Sequence, residues 1–265
     1  MKTILVPTDF STFSEKALDL SIVLAKATGA KIVLYHVLSG AEGKNARQKA
    51  EQAIKKLEDR VLRSGAVHCE SRLEEGEVAK GILQTKKTTR ADLILMGAKG
   101  AGGSGLTLLG SITDLVIRQS QCPVMVVPAQ VNFSPIIKQI TYATDYDQSD
   151  IKDILQLMPV ASALKAQLNI LHVGGDEISA EREVQLMEDF MKRINRTGKY
   201  NNLSFQMLHG NKVIETLTEF SRLGSTDLLV LATHHRHLLE RAFGAGLRGT
   251  KQILPLVAFH CNAAA

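Results

Sequence analysis

The sequence predicts an α/β protein built as two tandem, open, mainly parallel sheets flanked by helices. Three observations carry that reading. Short β-rich apolar runs alternate with helix-length segments, which implies crossover units and parallel pairing. The landmarks of the first half return in the same order in the second. A long glycine-rich connection, Gly97 to Gly110, joins a buried-strand signal to a helix signal.

The elements follow in chain order. Thr3–Val6 is short, apolar and rich in β-formers, and reads as the first strand. Ser11 or Ser14 is placed to cap a helix running to about Ala27, with Ala17, Leu18, Leu20, Ile22, Leu24 and Ala25 as its apolar positions. Lys31–Val37 is the second strand, and residues from about Asn45 to Leu62 form a highly charged amphipathic helix. His68–Leu73 is the third strand, Val78–Thr88 a helix, and Asp92–Met96 the fourth strand. After the glycine-rich connection come a helix at Ile112–Arg118 and a last strand at Pro123–Pro128.

The second half repeats these landmarks. Ile140–Asp145 parallels Ile4–Asp9, and Leu168–Val173 parallels Ile32–Val37 with a His-Val pair at each end. Leu208–Val213 parallels Leu73–Val78, Ser225–Leu231 parallels Arg90–Met96, and Leu256–Cys261 parallels the last strand. An internal duplication is the economical explanation. It divides the chain into residues 1–130 and 136–265, with a junction near Ala129–Pro135 that is too short for a free linker.

Composition narrows the class. The 265 residues are enough for two ordinary domains, and 45% apolar with 22% charged residues is usual for a globular protein. No apolar run approaches the roughly 20 residues that span a bilayer, and the N-terminus enters a strand directly, so neither membrane span nor signal peptide is expected. Three scattered cysteines, Cys69, Cys122 and Cys261, point to a reducing, cytoplasmic setting without a disulfide framework. A net charge of +5, spread along the chain, is weak support for nucleic-acid binding, and none is expected.

The glycine-rich connection is the most chemical feature. Glycines allow close backbone approach and positive φ, and a helix start presents free N–H groups and partial positive charge, so a strand–loop–helix of this kind suits a phosphate. A merely flexible connection is the minority reading. Gly100-x-Gly102-x-x-Gly105 matches a dinucleotide fingerprint, but the helix begins several residues later and the motif lies outside the first crossover. No Gly-x-x-x-x-Gly-Lys-Ser/Thr occurs, which disfavours a Walker-type site.

Taken together, Pro7-Thr8-Asp9 at the first strand end, His36-Val37 at the second, Gly97-x-x-Gly100 followed after nine residues by Gly110-Ser111, and Cys122-Pro123-Val124 at the entry to the last strand resemble the universal stress protein family. The resemblance covers nearly the whole chain as a tandem pair. It implies an adenine nucleotide alpha hydrolase-like, Rossmann-like fold with ATP across the carboxyl ends of the strands, and a nucleotide-dependent stress-response role. It implies that Asp9 accepts from ribose hydroxyls, that Pro7 and Thr8 shape the adenine side, and that the Val37 backbone addresses the adenine edge. Gly97 and Gly100 would let the chain wrap the phosphates, Lys99 would add charge near them, Met96 would be a further nucleotide contact, and Gly110, Ser111, Ile112 and Thr113 would bind phosphate at the helix start, with Mg²⁺ as a candidate bridge. The second half keeps Asp145 and Val173, but Ala232 and His235 stand where Gly97 and Gly100 have their counterparts, so its nucleotide motif is degenerate. Arg236, Arg241 and Arg248 remain there as candidates for a smaller anion.

Each residue also has a plainer role. Asp9 and Asp145 could cap helices, a role favoured for Asp145 and secondary to ligand contact for Asp9. His36 and His172 read as satisfied polar residues at strand ends. His234, His235 and His237, with His209 or His260, could bind zinc, but a solvated basic loop is preferred because no fixed ligand spacing supports the metal. Cys122 reads as a small buried residue. No catalytic residue is assigned: any ATP hydrolysis is expected to be slow, and the alternatives to a nucleotide-binding regulator are a slow ATPase, an autophosphorylating enzyme and a nucleotide-free scaffold. Pairing of the two halves' last strands would cover their apolar edges, with homodimerisation of whole chains as a further step and protein partners unknown.

Overall fold

The structure, a computed structural model, describes residues 1–38, 44–65, 68–99, 110–127, 136–175, 179–221, 223, 226–232 and 256–259. The chain divides into two compact units, Met1–Ala129 and Gln130–Ala265. The first contains β1 (Thr3–Pro7), α1 (Thr12–Thr28), β2 (Lys31–Leu38), α2 (Lys44–Arg63), β3 (Cys69–Glu75), α3 (Val78–Thr89), β4 (Leu93–Gly97), α4 (Ser111–Gln119) and β5 (Val124–Val127). Its strands run parallel in the order β3-β2-β1-β4-β5.

That order creates the site. The chain moves outward from β1 through β2 to β3, then returns to the other side of β1 for β4 and β5. The connections therefore diverge at the β1/β4 boundary, and a crevice opens at the carboxyl ends of those strands. β1, β4 and β5 are buried at every residue, as parallel strands covered on both faces must be. β3 is polar, CESRLEE, which suits an edge strand.

Local chemistry sets the helix ends. Ser11 caps α1 by accepting from the Ser14 N–H, and Gly29 closes it in the left-handed region at φ 72°. Asp9, weighed as a cap, lies two residues earlier and braces the cap instead. Its Oδ1 accepts from the Ser11 N–H at 3.1 Å and from the Ser11 hydroxyl at 2.5 Å.

The second unit contains β6 (Gln139–Thr144), α5 (Gln148–Leu164), β7 (Gln167–Gly174), α6 (Ala180–Thr197), β8 (Leu203–His209), α7 (Val213–Phe220), β9 (Leu228–Ala232) and β10 (Leu256–Phe259). Its parallel order, β10-β9-β6-β7-β8, repeats the first unit's topology. The repeat extends to single bonds. Asp92 Oδ2 accepts from the Lys2 and Thr3 N–H groups at 2.6 and 3.0 Å, and Asp227 Oδ2 accepts from Lys138 and Gln139 at 2.8 and 2.9 Å. His36 Nδ1 meets the Thr8 carbonyl at 2.7 Å, as His172 Nδ1 meets that of Thr144 at 2.8 Å. Phe10 and Tyr146, at φ 63° and 67°, lay their rings against these two histidines. Asp145 does not cap α5: Asp147 does, accepting from the Ser149 N–H at 2.7 Å, because the chain needs two residues after the strand to reach a helix start.

Among the described residues no helix is long and apolar enough to cross a membrane, and no three His, Cys, Asp or Glu side chains are placed to hold a metal. His234, His235, His237 and His260 lie outside the described residues, as do Arg236, Arg241 and Arg248.

Candidate functional site

A cavity of about 470 Å³ sits at the carboxyl end of the first unit's sheet. Small-molecule sites run from roughly 300 to 1,000 Å³. The strand ends supply Pro7, Thr8 and Asp9 after β1, Tyr35 and Val37 on β2, and Met96 and Gly97 on β4 with Lys99 just beyond. The start of α4 supplies Gly110, Ser111, Ile112 and Thr113. Eleven of the twelve residues expected from the sequence are thus brought to one cavity; the twelfth, Gly100, lies outside the described residues.

The floor is held by short-range bonds. The Thr8 hydroxyl donates to Ser14 Oγ at 3.1 Å and accepts from the Phe10 N–H at 3.1 Å, while the Thr8 N–H donates to the Tyr35 carbonyl at 2.8 Å. These bonds aim the turn that presents Asp9. On the opposite side the Ala98 N–H donates to the Val127 carbonyl at 2.9 Å, and the Gly110 N–H donates to the Ala98 carbonyl at 2.7 Å. Both ends of the glycine-rich connection are therefore anchored beside β4. The buried Thr113 hydroxyl donates to the Gly97 carbonyl at 3.1 Å and pins α4 to the strand end.

Two features suit an anion. Gly110 is the N-cap of α4, no side chain caps the helix there, and the residues of this helix start, which carries partial positive charge, line the cavity. Lys99 adds a cationic side chain to the wall. Gly97 is glycine for a steric reason: a Cβ there would lie 2.8 Å from Phe13 Cβ and 2.9 Å from the Phe13 carbonyl carbon.

Four lining residues were not anticipated as site residues: Ser14, Tyr35, Val78 and Ile82. Val78 and Ile82 are four apart on α3 and form one apolar stripe, joined by Val37 and Met96. Their spacing was visible, but nothing in one sequence says which helix face meets a cavity. Tyr35 is buried, which pushes its phenol up to about 12, and its hydroxyl donates to Glu74 Oε2 at 3.0 Å.

The second unit differs at the matching place. Asp150, third in α5 as Ser14 is third in α1, is fully buried. Its Oδ2 accepts from the Thr144 hydroxyl at 2.6 Å, and the Tyr142 hydroxyl lies 2.9 Å from its Oδ1 and 3.1 Å from Asp153 Oδ2. Ala232 closes β9 where Gly97 closes β4. Elsewhere, Cys122 is buried, which raises its thiol pKa, and its Sγ lies 3.5 Å from Ser120 Oγ.

Comparison with known proteins adds to this geometry. The model of the universal stress protein family matches residues 1–128. A universal stress protein of Methanocaldococcus jannaschii is 31% identical over 139 residues, covering 48% of this chain and 81% of the relative. One from Thermus aquaticus is 30% identical over 134 residues, covering 48% of this chain and 98% of the relative. A crystal structure of a universal stress protein from Archaeoglobus fulgidus matches the fold over 97% of this chain and 96% of its own, with TM-score 0.74 and 17% identity.

Proposed function

We propose that this chain, which belongs to the universal stress protein family, is a cytoplasmic stress-response protein that binds ATP in its first unit. The observation that carries the reading is the cavity at the β1/β4 divergence, whose lining combines apolar side chains, a carboxylate, a lysine and a helix start. Val37, Val78, Ile82 and Met96 offer apolar surface for a base, with Pro7 and Thr8 beside it and the Val37 backbone at its edge. The Asp9 carboxylate accepts from ribose hydroxyls, oriented for this by Ser11. Gly97 and Gly100 let the backbone approach the phosphates, and Gly110 with the first amides of α4 receives them, joined by Lys99. Mg²⁺ is the candidate counter-ion bridging phosphates.

The residues present fit this ligand. A helix start without a side-chain cap, lining a cavity, suits phosphate, and Gly97 at the end of β4 carries no side chain because Phe13 leaves no room for one. The second unit is read as not competent for ATP. Asp150, a fully buried carboxyl bonded to Thr144 and Tyr142, stands at its counterpart of Ser14, and Ala232 replaces the glycine. The ligand is read as a regulatory signal that orders the glycine-rich connection, and no residue is assigned to catalysis.

The test is a calorimetric titration of nucleotide-stripped protein with Mg-ATP, with AMP as control. One ATP per chain, with AMP weaker, supports a phosphate-reading site. No heat, and no competition with a fluorescent ATP analogue, would replace this reading with the nucleotide-free scaffold.

A further inference from the structure

The apolar slot between α3 and the strand ends has a spacer. Tyr35 lies on β2 opposite Pro7 of β1 and is almost completely buried. Its side chain rises under α3 at Gly81, where it occupies the space a side chain would need. A Cβ at Gly81 would collide with the Tyr35 hydroxyl and come within 3.2 Å of ring carbon Cζ. The helix backbone therefore rests directly on the phenol. The hydroxyl is tied at the same time to β3, donating to Glu74 Oε2 at 3.0 Å. Buried Thr85, one turn beyond Gly81 on α3, is a second hydrogen-bonding neighbour of the phenol. Val78 and Ile82, the slot's α3 wall, flank Gly81 on the same helix.

We propose that Tyr35 is a positioning residue that sets the width of the base slot, and that Gly81 is glycine so that α3 can sit down on its hydroxyl. The inference rests on the reading of the cavity as an adenine-nucleotide site. It assigns base selection to a contact beneath the slot. The phosphate end is built from β4 and the α4 start, and neither Tyr35 nor Gly81 lies on those elements.

That separation gives the test. Full-length wild type, Gly81→Ala, Tyr35→Phe and the double variant are titrated with Mg-ATP and, separately, with tripolyphosphate, which has no base. In Gly81→Ala the new methyl pushes α3 off the hydroxyl, and overpacking of this kind predicts a loss of about tenfold or more in ATP affinity. Tripolyphosphate affinity stays unchanged. Removing the hydroxyl in the Tyr35→Phe/Gly81→Ala variant makes room for the methyl and restores most of the ATP affinity, whereas a generally damaged fold would not recover. Tyr35→Phe alone keeps the ring as spacer and loses a few-fold at most, about one hydrogen bond's worth. Unchanged ATP binding in Gly81→Ala, equal losses for ATP and tripolyphosphate, or no recovery in the double variant overturns the inference and leaves the nucleotide site standing. Wild type that binds tripolyphosphate but not ATP, or neither, overturns the nucleotide reading and this inference with it.

Discussion

Gly97→Ala puts a number on how closely α1 is seated against β4. The added methyl would lie 2.8 Å from Phe13 Cβ, 2.9 Å from its carbonyl carbon and 3.1 Å from its carbonyl oxygen. Carbon contacts settle near 3.5–4.0 Å, so about 1 Å of movement is required, and two of the three atoms are backbone. Neither a buried strand nor a helix start with a formed cap yields cheaply, and overpacking of this kind costs about 1–3 kcal/mol. Against it stands a gain of about 0.4–1 kcal/mol from the stiffer unfolded chain. The net expectation is a loss of about 1–2 kcal/mol, which a urea slope near 2 kcal/mol/M turns into a midpoint roughly 0.5–1 M lower. Circular dichroism of the full chain in urea reads it. The control is Ala232→Gly, at the matching strand end of the second unit, where the methyl is already buried. That change removes a packed methyl and loosens the unfolded chain, so it also destabilises, by about 1 kcal/mol. An unchanged or raised midpoint for Gly97→Ala would refute the steric account of that glycine.

Two further predictions concern the framework. Asp92→Ala and Asp227→Ala each remove an acceptor shared by two backbone N–H groups at the start of a central strand. Each should cost about 1–2 kcal/mol in urea unfolding. Stability should also fall in alkali. Tyr35 and Tyr146 are pushed from an ordinary 10.0 up to about 12, chiefly by burial. Below pH 10 the phenol is neutral in both states and contributes no slope. Between pH 10 and about 12 the unfolded state ionises first, so the stabilising contribution is lost as pH rises. Tyr35→Phe should flatten the alkaline limb of stability against pH, and an unaltered limb would show that Tyr35 does not carry it.

Much of the first unit was legible because its signals are local. The strand at Lys31–Leu38 and the helices at Lys44–Arg63 and Val78–Thr89 lie within a residue or two of their expected spans, since apolar runs and helical periodicity need no partner to be read. The gathering of Asp9, Val37, Gly97 and Ser111 at one cavity was expected from the family resemblance, and it agrees with the rule that sites in open parallel sheets lie at the strand ends where the topology divides. Two kinds of feature were not legible. The α1 cap is Ser11, one of the two serines expected, but the α5 cap fell to Asp147 and not to Asp145 two residues earlier, a difference decided by turn geometry. The α3 wall and Tyr35 were missed because their roles come from packing between distant segments. Gly81 was the available hint: a glycine inside a helix marks a close neighbour when nothing local requires it. α5 and α6 of the second unit fill crossovers whose strands alone had been placed.

ATP bound in the first unit would rest its phosphates on the start of α4. Amide hydrogen exchange with and without saturating Mg-ATP tests it most directly, because the first helical amides have no intrahelical acceptor and exchange quickly until an anion takes them. Binding in the first unit gives new protection in peptides spanning Gly110–Val116 and Val37–Leu38, with Gln139–Val173 unchanged. Protection confined to the second unit, or none at saturating nucleotide, would contradict it.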